Sequence, residues 1–137
     1  MRFAVFDTNV IVSAGIRYDT APYTLMSNWV LKGQVQAVTC PTIIKEYRQV
    51  VGRAKFRRYG FPPMWLELLI EESLRLPDPT GHWNGDVPDS TDIPFLALAH
   101  VSGAQLVTGN LKHFPTTIRQ GVQVLTPTEY LNSLQYR

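Results

Sequence analysis

The sequence contains one cysteine, Cys40. A lone cysteine cannot form a disulfide within the chain, and a zinc site built from several cysteines is excluded as well. No apolar run approaches the roughly 20 residues that a transmembrane helix needs. The amino terminus enters an apolar stretch directly, without the basic, apolar and small-residue pattern of a signal peptide. We therefore expect a soluble, cytoplasmic protein with no membrane partner.

Several motifs of other α/β proteins are missing too. No G-x-G-x-x-G follows the first apolar stretch, which argues against a dinucleotide-dependent dehydrogenase. A phospho-acceptor receiver domain would carry an acidic pair near the amino terminus and a lysine after the last strand, and neither is in place. Repeats, low-complexity tracts and long linkers are also absent. The length therefore predicts one domain over residues 1–137.

Stretches typical of strands alternate with stretches typical of helices. Apolar, β-rich runs predict strands at 3–6, 35–40, 105–108 and 122–125, and residues 77–88 have the composition of a surface loop. Helices are predicted at 21–31, from Pro41, after Pro62-Pro63 with Leu74 on its apolar stripe, at 89–101, and after Thr126. This alternation predicts an α/β fold with a central, mainly parallel sheet of four or five strands flanked by helices.

Acidic side chains fall where strands end and helices begin. Asp7 ends the first strand, Glu46 lies on the helix after the second strand, and Asp89 and Asp92 open the nearly all-apolar helix. In a parallel sheet these positions share one edge, so the carboxylates can converge. Converging carboxylates repel unless a cation neutralises them, and hard oxygen ligands favour Mg²⁺ or Mn²⁺. Taken singly, each aspartate could instead cap a helix, and Glu46 could pair with a basic neighbour.

Basic and aromatic residues are interleaved in one short stretch of an only slightly basic chain. A phosphate backbone with exposed bases would favour this composition. The alternative is a solvated helix face whose aromatic rings point into the core. The aromatic members of this stretch are Tyr47, Phe56 and Tyr59. The candidate RNA-binding residues are its basic members and, outside the stretch, one further lysine: Lys45, Arg48, Arg53, Lys55, Arg57, Arg58 and Lys112.

Four stretches, in their order along the chain, resemble the PIN-domain ribonucleases, and in particular the PIN-family toxins related to VapC. They are Asp7-Thr8-Asn9 after an apolar strand, Glu46 on the helix after the second strand, Asp92 opening a helix that reads Phe95-Leu96-Ala97-Leu98-Ala99, and the run from Val107 to Phe114. The resemblance extends from Phe3 to Leu131. Each motif is weak by itself, but their joint order and spacing is specific.

The resemblance implies roles for individual residues. Asp7, Glu46 and Asp92 match the three acids that bind the metal, and Asp89 matches an additional acid of this subgroup. Asn9, Thr108 and Asn110 match supporting polar positions. The chain departs from the family in one place, because residues 110–113 hold no aspartate. Lys112 and His113 are candidates for phosphate contact, although a surface or capping role suits His113 equally.

The function implied by the resemblance is a metal-dependent endoribonuclease that acts as the toxin of a type II toxin–antitoxin system. A water activated by Mg²⁺ or Mn²⁺ would attack the RNA phosphodiester. The same resemblance implies a small antitoxin partner, whose disordered tail folds onto the site, and a homodimer. The rival hypothesis is a catalytically degenerate PIN domain that binds RNA or protein, and Asn110 in place of an acid is its best support.

Overall fold

A computed structural model describes residues 2–135 of the chain. Its strands are β1 (Arg2–Phe6), β2 (Val35–Thr39), β3 (Leu74–Arg75), β4 (Gln105–Val107) and β5 (Val124–Leu125). They form one sheet in the order β3-β2-β1-β4-β5, and every neighbouring pair is parallel. This arrangement confirms the predicted α/β class and the parallel sheet.

In the part of the chain that the structure describes, six α-helices connect or follow these strands. They are α1 (Thr8–Ile16), α2 (Ala21–Thr24), which continues as a π-helix over Leu25–Val30, α3 (Pro41–Val51), α4 (Trp65–Glu72), α5 (Ile93–Ser102) and α6 (Pro127–Gln135). Short 3-10 turns occupy Ala54–Tyr59, Ser90–Asp92, Leu111–His113 and Thr116–Ile118. Proline stands in the first turn of α2, α3 and α5, where its missing N–H costs no helical hydrogen bond. Among the residues described, no helix is both long and apolar enough to cross a membrane.

Strand β1 lies at the centre of the sheet and sets the position of Asp7. Ala4, Val5 and Phe6 are almost completely buried, as expected for a strand covered on both faces. Phe6 is level with Val107 of β4, and the N–H of Asp7 donates to the Val107 carbonyl at 2.9 Å. The two strands therefore end together, and the residues that follow them emerge side by side.

Helix α3 is attached to the end of β1 by a buried tyrosine. Ile43, Tyr47 and Val51 form its buried stripe at a spacing of four residues. The Tyr47 hydroxyl donates a short hydrogen bond to the carbonyl of Phe6. Glu46 precedes Tyr47 at the margin of this stripe and is therefore only half-buried, near the carboxyl end of β1.

The end of α4 differs from the prediction. Leu74 was expected on the apolar stripe of that helix, but α4 ends at Glu72 and Leu74 belongs to the edge strand β3, where it is exposed. The cause is Ser73, whose hydroxyl donates to the Ile70 carbonyl at 2.6 Å and lies 2.7 Å from the Thr39 hydroxyl of β2. These bonds end the helix and place the following residues against β2.

The beginning of α6 follows the prediction. The hydroxyl of Thr126 accepts from the N–H of Glu129 at 3.1 Å, and the Glu129 carboxylate accepts from the N–H of Thr126 at 2.9 Å. This reciprocal pair satisfies donors that a helix start leaves free. Helix α5 is less buried than expected, because His100 and Val101 near its end are exposed.

Candidate functional site

Asp7 caps α1 and lies at the carboxyl end of the central strand. Its Oδ1 accepts from the N–H of Thr8 at 2.8 Å, and its Oδ2 accepts from the Thr108 hydroxyl at 2.8 Å and from the Asn9 amide at 3.3 Å. The residue is only 6% exposed. Asp7 is thus a helix cap, as the sequence allowed. A carboxylate that accepts these bonds retains lone pairs for another ligand, so the cap does not exclude a further role.

Thr8 links Asp7 to Glu46. Its N–H bonds to Asp7, while its hydroxyl donates a short hydrogen bond to Oε2 of Glu46 on α3. The two acids are 39 positions apart in the sequence, and Thr8 forms a hydrogen bond with each of them. The link between Thr8 and Glu46 could not be predicted from the sequence, because it depends on how α3 packs against the end of β1.

The segment after β4 supplies a second layer of polar contacts. The Asn9 side chain accepts from the N–H of Gly109 at 3.0 Å, and the Thr108 hydroxyl, which donates to Asp7, accepts from the N–H of Asn110 at 3.0 Å. The predicted supporting residues Asn9 and Thr108 therefore do contact this edge of the sheet. The main chain of Asn110 takes part in this layer through its N–H.

Asp89 and Asp92 lie at the entrance to α5. Oδ1 of Asp89 accepts from the N–H and the hydroxyl of Thr91, at 3.0 and 2.7 Å, so Asp89 caps the 3-10 turn and remains exposed. Asp92 is 7% exposed, and no donor within residues 2–135 is aligned on its Oδ2. A buried, unsatisfied carboxylate oxygen is unusual, which marks it as a candidate ligand position.

His113 approaches that oxygen from the turn after β4. Its Nδ1 lies 3.0 Å from Oδ2 of Asp92, although without hydrogen-bond alignment. Asp89, Asp92 and His113 each offer one ligand atom, and these atoms lie within 4.8 Å of one another. From the sequence, His113 was a candidate for phosphate contact or for a surface or capping role, and no metal-ligand role was predicted for it. Its position just after a strand end was the available signal.

The structure thus divides the predicted acids into two connected groups. Within residues 2–135, Asp92 is grouped with Asp89 and His113, while Thr8 joins Asp7 to Glu46. The groups interact electrostatically, because the charge of Asp7 raises the pKa of both Asp92 and Glu46. They face the same edge of the sheet.

The pKa values of the acids reflect their burial. Loss of solvent is the largest cause that raises the pKa of Asp7, Glu46 and Asp92, and it raises that of Asp92 to about 6, with the charge of Asp7 as the second cause. The hydrogen bonds from Thr91 instead lower the pKa of Asp89. Buried carboxylates that ionise reluctantly are typical of sites that receive a cation.

A divalent cation suits these donors. Asp89, Asp92 and His113 offer ligand atoms within 4.8 Å of one another, and a cation there would give Oδ2 of Asp92 the partner that it lacks within residues 2–135. The positive charge of the ion would also lower the pKa values of the carboxyl groups, which their mutual repulsion helps to raise. The donors are carboxylate oxygens and one imidazole nitrogen. The oxygens suit Mg²⁺ or Mn²⁺, and the nitrogen suits a divalent ion of the first transition row.

The basic candidates are all exposed, but their surroundings differ. Arg48 forms two bonds to Glu67, at 2.6 and 3.1 Å, and Arg58 lies over the ring of Tyr59, 4.8 Å from its centroid. The charge of Arg53 acts on the acidic site, where it lowers the pKa of Glu46. Tyr47 is buried in the core and cannot stack on a base.

Comparison with known proteins identifies the family. A sequence model of the PIN domain matches residues 4–112. The chain belongs to the PIN domain family. The match includes Asp7, Glu46 and Asp92, so the acidic edge lies within the part that defines this PIN domain. Among curated proteins, no sequence matches the chain.

Solved structures share the fold of this PIN domain. VapBC2 from Rickettsia felis, bound to a DNA fragment from its promoter, is 15% identical with a TM-score of 0.63, and the match covers 90% of this chain and 98% of that one. FitAcB from Neisseria gonorrhoeae is 16% identical with a TM-score of 0.55, covering 91% and 98%. FitAB bound to the IR36 DNA fragment is 17% identical with a TM-score of 0.53, covering 90% and 94%.

Proposed function

We propose that this PIN domain is an endoribonuclease that depends on Mg²⁺ or Mn²⁺. The observation that carries the proposal is the buried, unpartnered Oδ2 of Asp92 beside other carboxylates of raised pKa. Within residues 2–135, Arg53 and His113 offset part of this negative charge, but the pKa of all three acids stays raised, so a cation is the simplest further partner. The nuclease unit in this proposal is the single domain of residues 1–137.

The proposed substrate is an RNA phosphodiester. A bound divalent cation would supply an activated water and offset the charge that develops on the phosphoryl oxygens. Asp7, Glu46 and Asp92 would hold the cation, with Asp89 as an additional acid. Thr8 orients Glu46, and Thr108 and Asn9 orient Asp7, so the carboxylates are fixed before substrate arrives.

The exposed basic residues would bind the RNA backbone. Arg53 is the best placed of them, since its charge acts on Glu46 at the acidic edge. Lys45, Lys55 and Arg57 are further exposed residues of the same basic stretch, and Lys112 contributes from the turn that also carries His113. Backbone contacts of this kind give affinity without base specificity, and salt weakens them.

The proposal includes a biological role as the toxin of a type II toxin–antitoxin system in the cytoplasm. Its supports are the resemblance to VapC-related toxins and the shared fold of VapBC2 and FitAB. A small antitoxin would be the protein partner, and a second copy of the chain would complete a homodimer. Light scattering of the purified chain, alone and with the product of a neighbouring short gene, tests both partners.

Cleavage mapping on total RNA tests the enzymatic proposal. The wild type should cut RNA with Mn²⁺ and stop in excess EDTA, while Asp92→Asn should remain folded and inactive. Asp19→Asn is the matched control, because Asp19 is an exposed acid between α1 and α2. Cleavage that continues in EDTA would contradict the metal mechanism. Metal-independent RNA binding without cleavage by the wild type would favour a degenerate binding domain instead.

A further inference from the structure

The contact between His113 and Asp92 places an imidazole inside the candidate metal site. Nδ1 of His113 lies 3.0 Å from Oδ2 of Asp92, which is close but not aligned as a hydrogen bond. Oδ2 of Asp92 is buried, and within the described residues 2–135 no donor is aligned on it. Two potential ligand atoms thus face each other beside the acids of the site.

The spacing of these atoms fits a shared ion. Neighbouring ligands that each lie about 2.1 Å from an octahedral ion are about 3 Å apart. The observed 3.0 Å between Nδ1 and Oδ2 equals that separation. Without an ion, a protonated His113 would form an ion pair with Asp92 at this distance. With Nδ1 unprotonated, both atoms present lone pairs that a cation can bind.

Asp89 supplies a third ligand atom. Its candidate atom lies within 4.8 Å of those of Asp92 and His113. Both of its hydrogen bonds, from the N–H and the hydroxyl of Thr91, fall on Oδ1. Because the side chain is exposed, Oδ2 can turn toward an ion without breaking the cap. The three residues would then bind the ion together, in addition to Asp7 and Glu46 of the proposed site, and water or phosphate would complete its ligands.

We infer that His113 is a metal ligand through Nδ1, together with Asp92 and Asp89, and that its imidazole makes the site prefer a first-row transition-metal ion over Mg²⁺. Mg²⁺ favours oxygen ligands and gains little from an imidazole, whereas affinity for nitrogen ligands rises from Mn²⁺ to Co²⁺ and beyond. This inference rests on the proposed function, since it concerns the metal of the same site.

Metal binding measured without RNA tests the inference. Co²⁺ is the probe, because its visible absorption reports the ligands directly, and Mg²⁺ is the competitor. The wild type should bind Co²⁺ at least 10-fold more tightly than Mg²⁺. His113→Asn should weaken Co²⁺ binding by about 10-fold or more and change its spectrum, with little change for Mg²⁺. His113→Asp should bind both ions but lose the preference.

His100→Gln is the matched control, because His100 is an exposed histidine that packs on Trp83 away from the site. It should bind Co²⁺ as the wild type does. A second measurement needs no variant. In the nuclear magnetic resonance spectrum of the wild type, Co²⁺ should shift the imidazole signals of one histidine strongly, and that histidine should be His113.

The outcomes separate this inference from the proposed nuclease. An unchanged Co²⁺ affinity and spectrum in His113→Asn, with binding lost in Asp92→Asn, would overturn the ligand role of His113 and leave the metal nuclease standing. A wild type that binds Mg²⁺ as tightly as Co²⁺ would overturn the preference. A wild type that binds neither ion would overturn the inference and the metal-dependent nuclease together.

Discussion

Replacing Asp92 with asparagine should stabilise the metal-free protein above neutral pH, although it removes a residue of the proposed site. Burial and the charge of Asp7 raise the pKa of Asp92 from 3.8 to about 6 in the folded protein. A carboxylate forced to ionise there destabilises the fold, and asparagine keeps nearly the same shape without the charge. The full shift corresponds to about 3 kcal/mol. Since the group borders a solvent-exposed edge, we expect about 1–2 kcal/mol.

The pH dependence follows from the direction of this shift. A carboxyl with a raised folded pKa favours the folded state while it is protonated, so its contribution to stability is lost as pH rises from about 4 to about 6. Wild-type stability should therefore fall through this window relative to Asp92→Asn. The difference between the two proteins should be largest above neutral pH, where the wild-type carboxylate is fully charged.

Urea unfolding in EDTA measures this difference. Free energies of unfolding for both proteins, determined at intervals from about pH 5 to about pH 8, give the curve directly. Near neutral pH the variant should also melt about 3–6 °C higher, as expected for a chain of this length. Adding Mn²⁺ should reverse the order, because the cation binds the folded wild type and stabilises it.

Two results would refute the reasoning. One is a variant less stable than the wild type at about pH 8 in EDTA, which would mean that the ionised Asp92 already has a favourable partner within the protein. The other is a difference in stability that does not change with pH, which would mean that the pKa of Asp92 is not raised by folding. Asp19→Asn, at an exposed position, provides the baseline for both.

Three further predictions concern the fold and the RNA surface. Tyr47→Phe removes the donor to the buried carbonyl of Phe6 and should destabilise the protein by about 1–3 kcal/mol in urea unfolding, whereas an unchanged stability would show that the bond is dispensable. Thr126→Ala removes the cap of α6 and should cost about 0.5–2 kcal/mol, with no effect on metal binding. Arg53→Gln should weaken RNA binding and lower its salt dependence by about 0.7 in logarithmic slope, measured by fluorescence anisotropy. Arg48→Gln should change both less, because a carboxylate already pairs with Arg48, and equal effects would contradict that difference.

The main strands and helices could be predicted because their signals are local. The apolar run that ends at Asp7 gives β1, and the proline at position 41 marks the start of α3. Strand β3 could not be predicted in this way, because it has two residues and depends on the bonds of Ser73 with Ile70 and Thr39. Tertiary contacts, rather than local sequence, determine where α4 ends.

The candidate site shows the same division. Asp7, Asp89 and Asp92 could be selected from their positions at a strand end or helix start, and Glu46 from its place on the helix after the second strand. The sequence did not show that Thr8 bridges two of them, or that a histidine 21 positions after Asp92 would approach its free oxygen. Both contacts require the packing of separate elements, which no spacing rule encodes.

The attachment of α3 on either side of Asp7 has a mechanical consequence. Glu46 accepts a hydrogen bond from Thr8, and the next residue, Tyr47, donates one to Phe6. Two neighbouring residues of α3 therefore bond to the residues just before and just after Asp7. The position of α3 relative to the end of β1 is consequently set by a bond in the buried core. The Glu46 side chain can turn away by breaking its bond to Thr8, but α3 itself cannot move from β1 without breaking the buried bond of Tyr47. A partner that covers this edge would therefore meet a helix that the core holds in place.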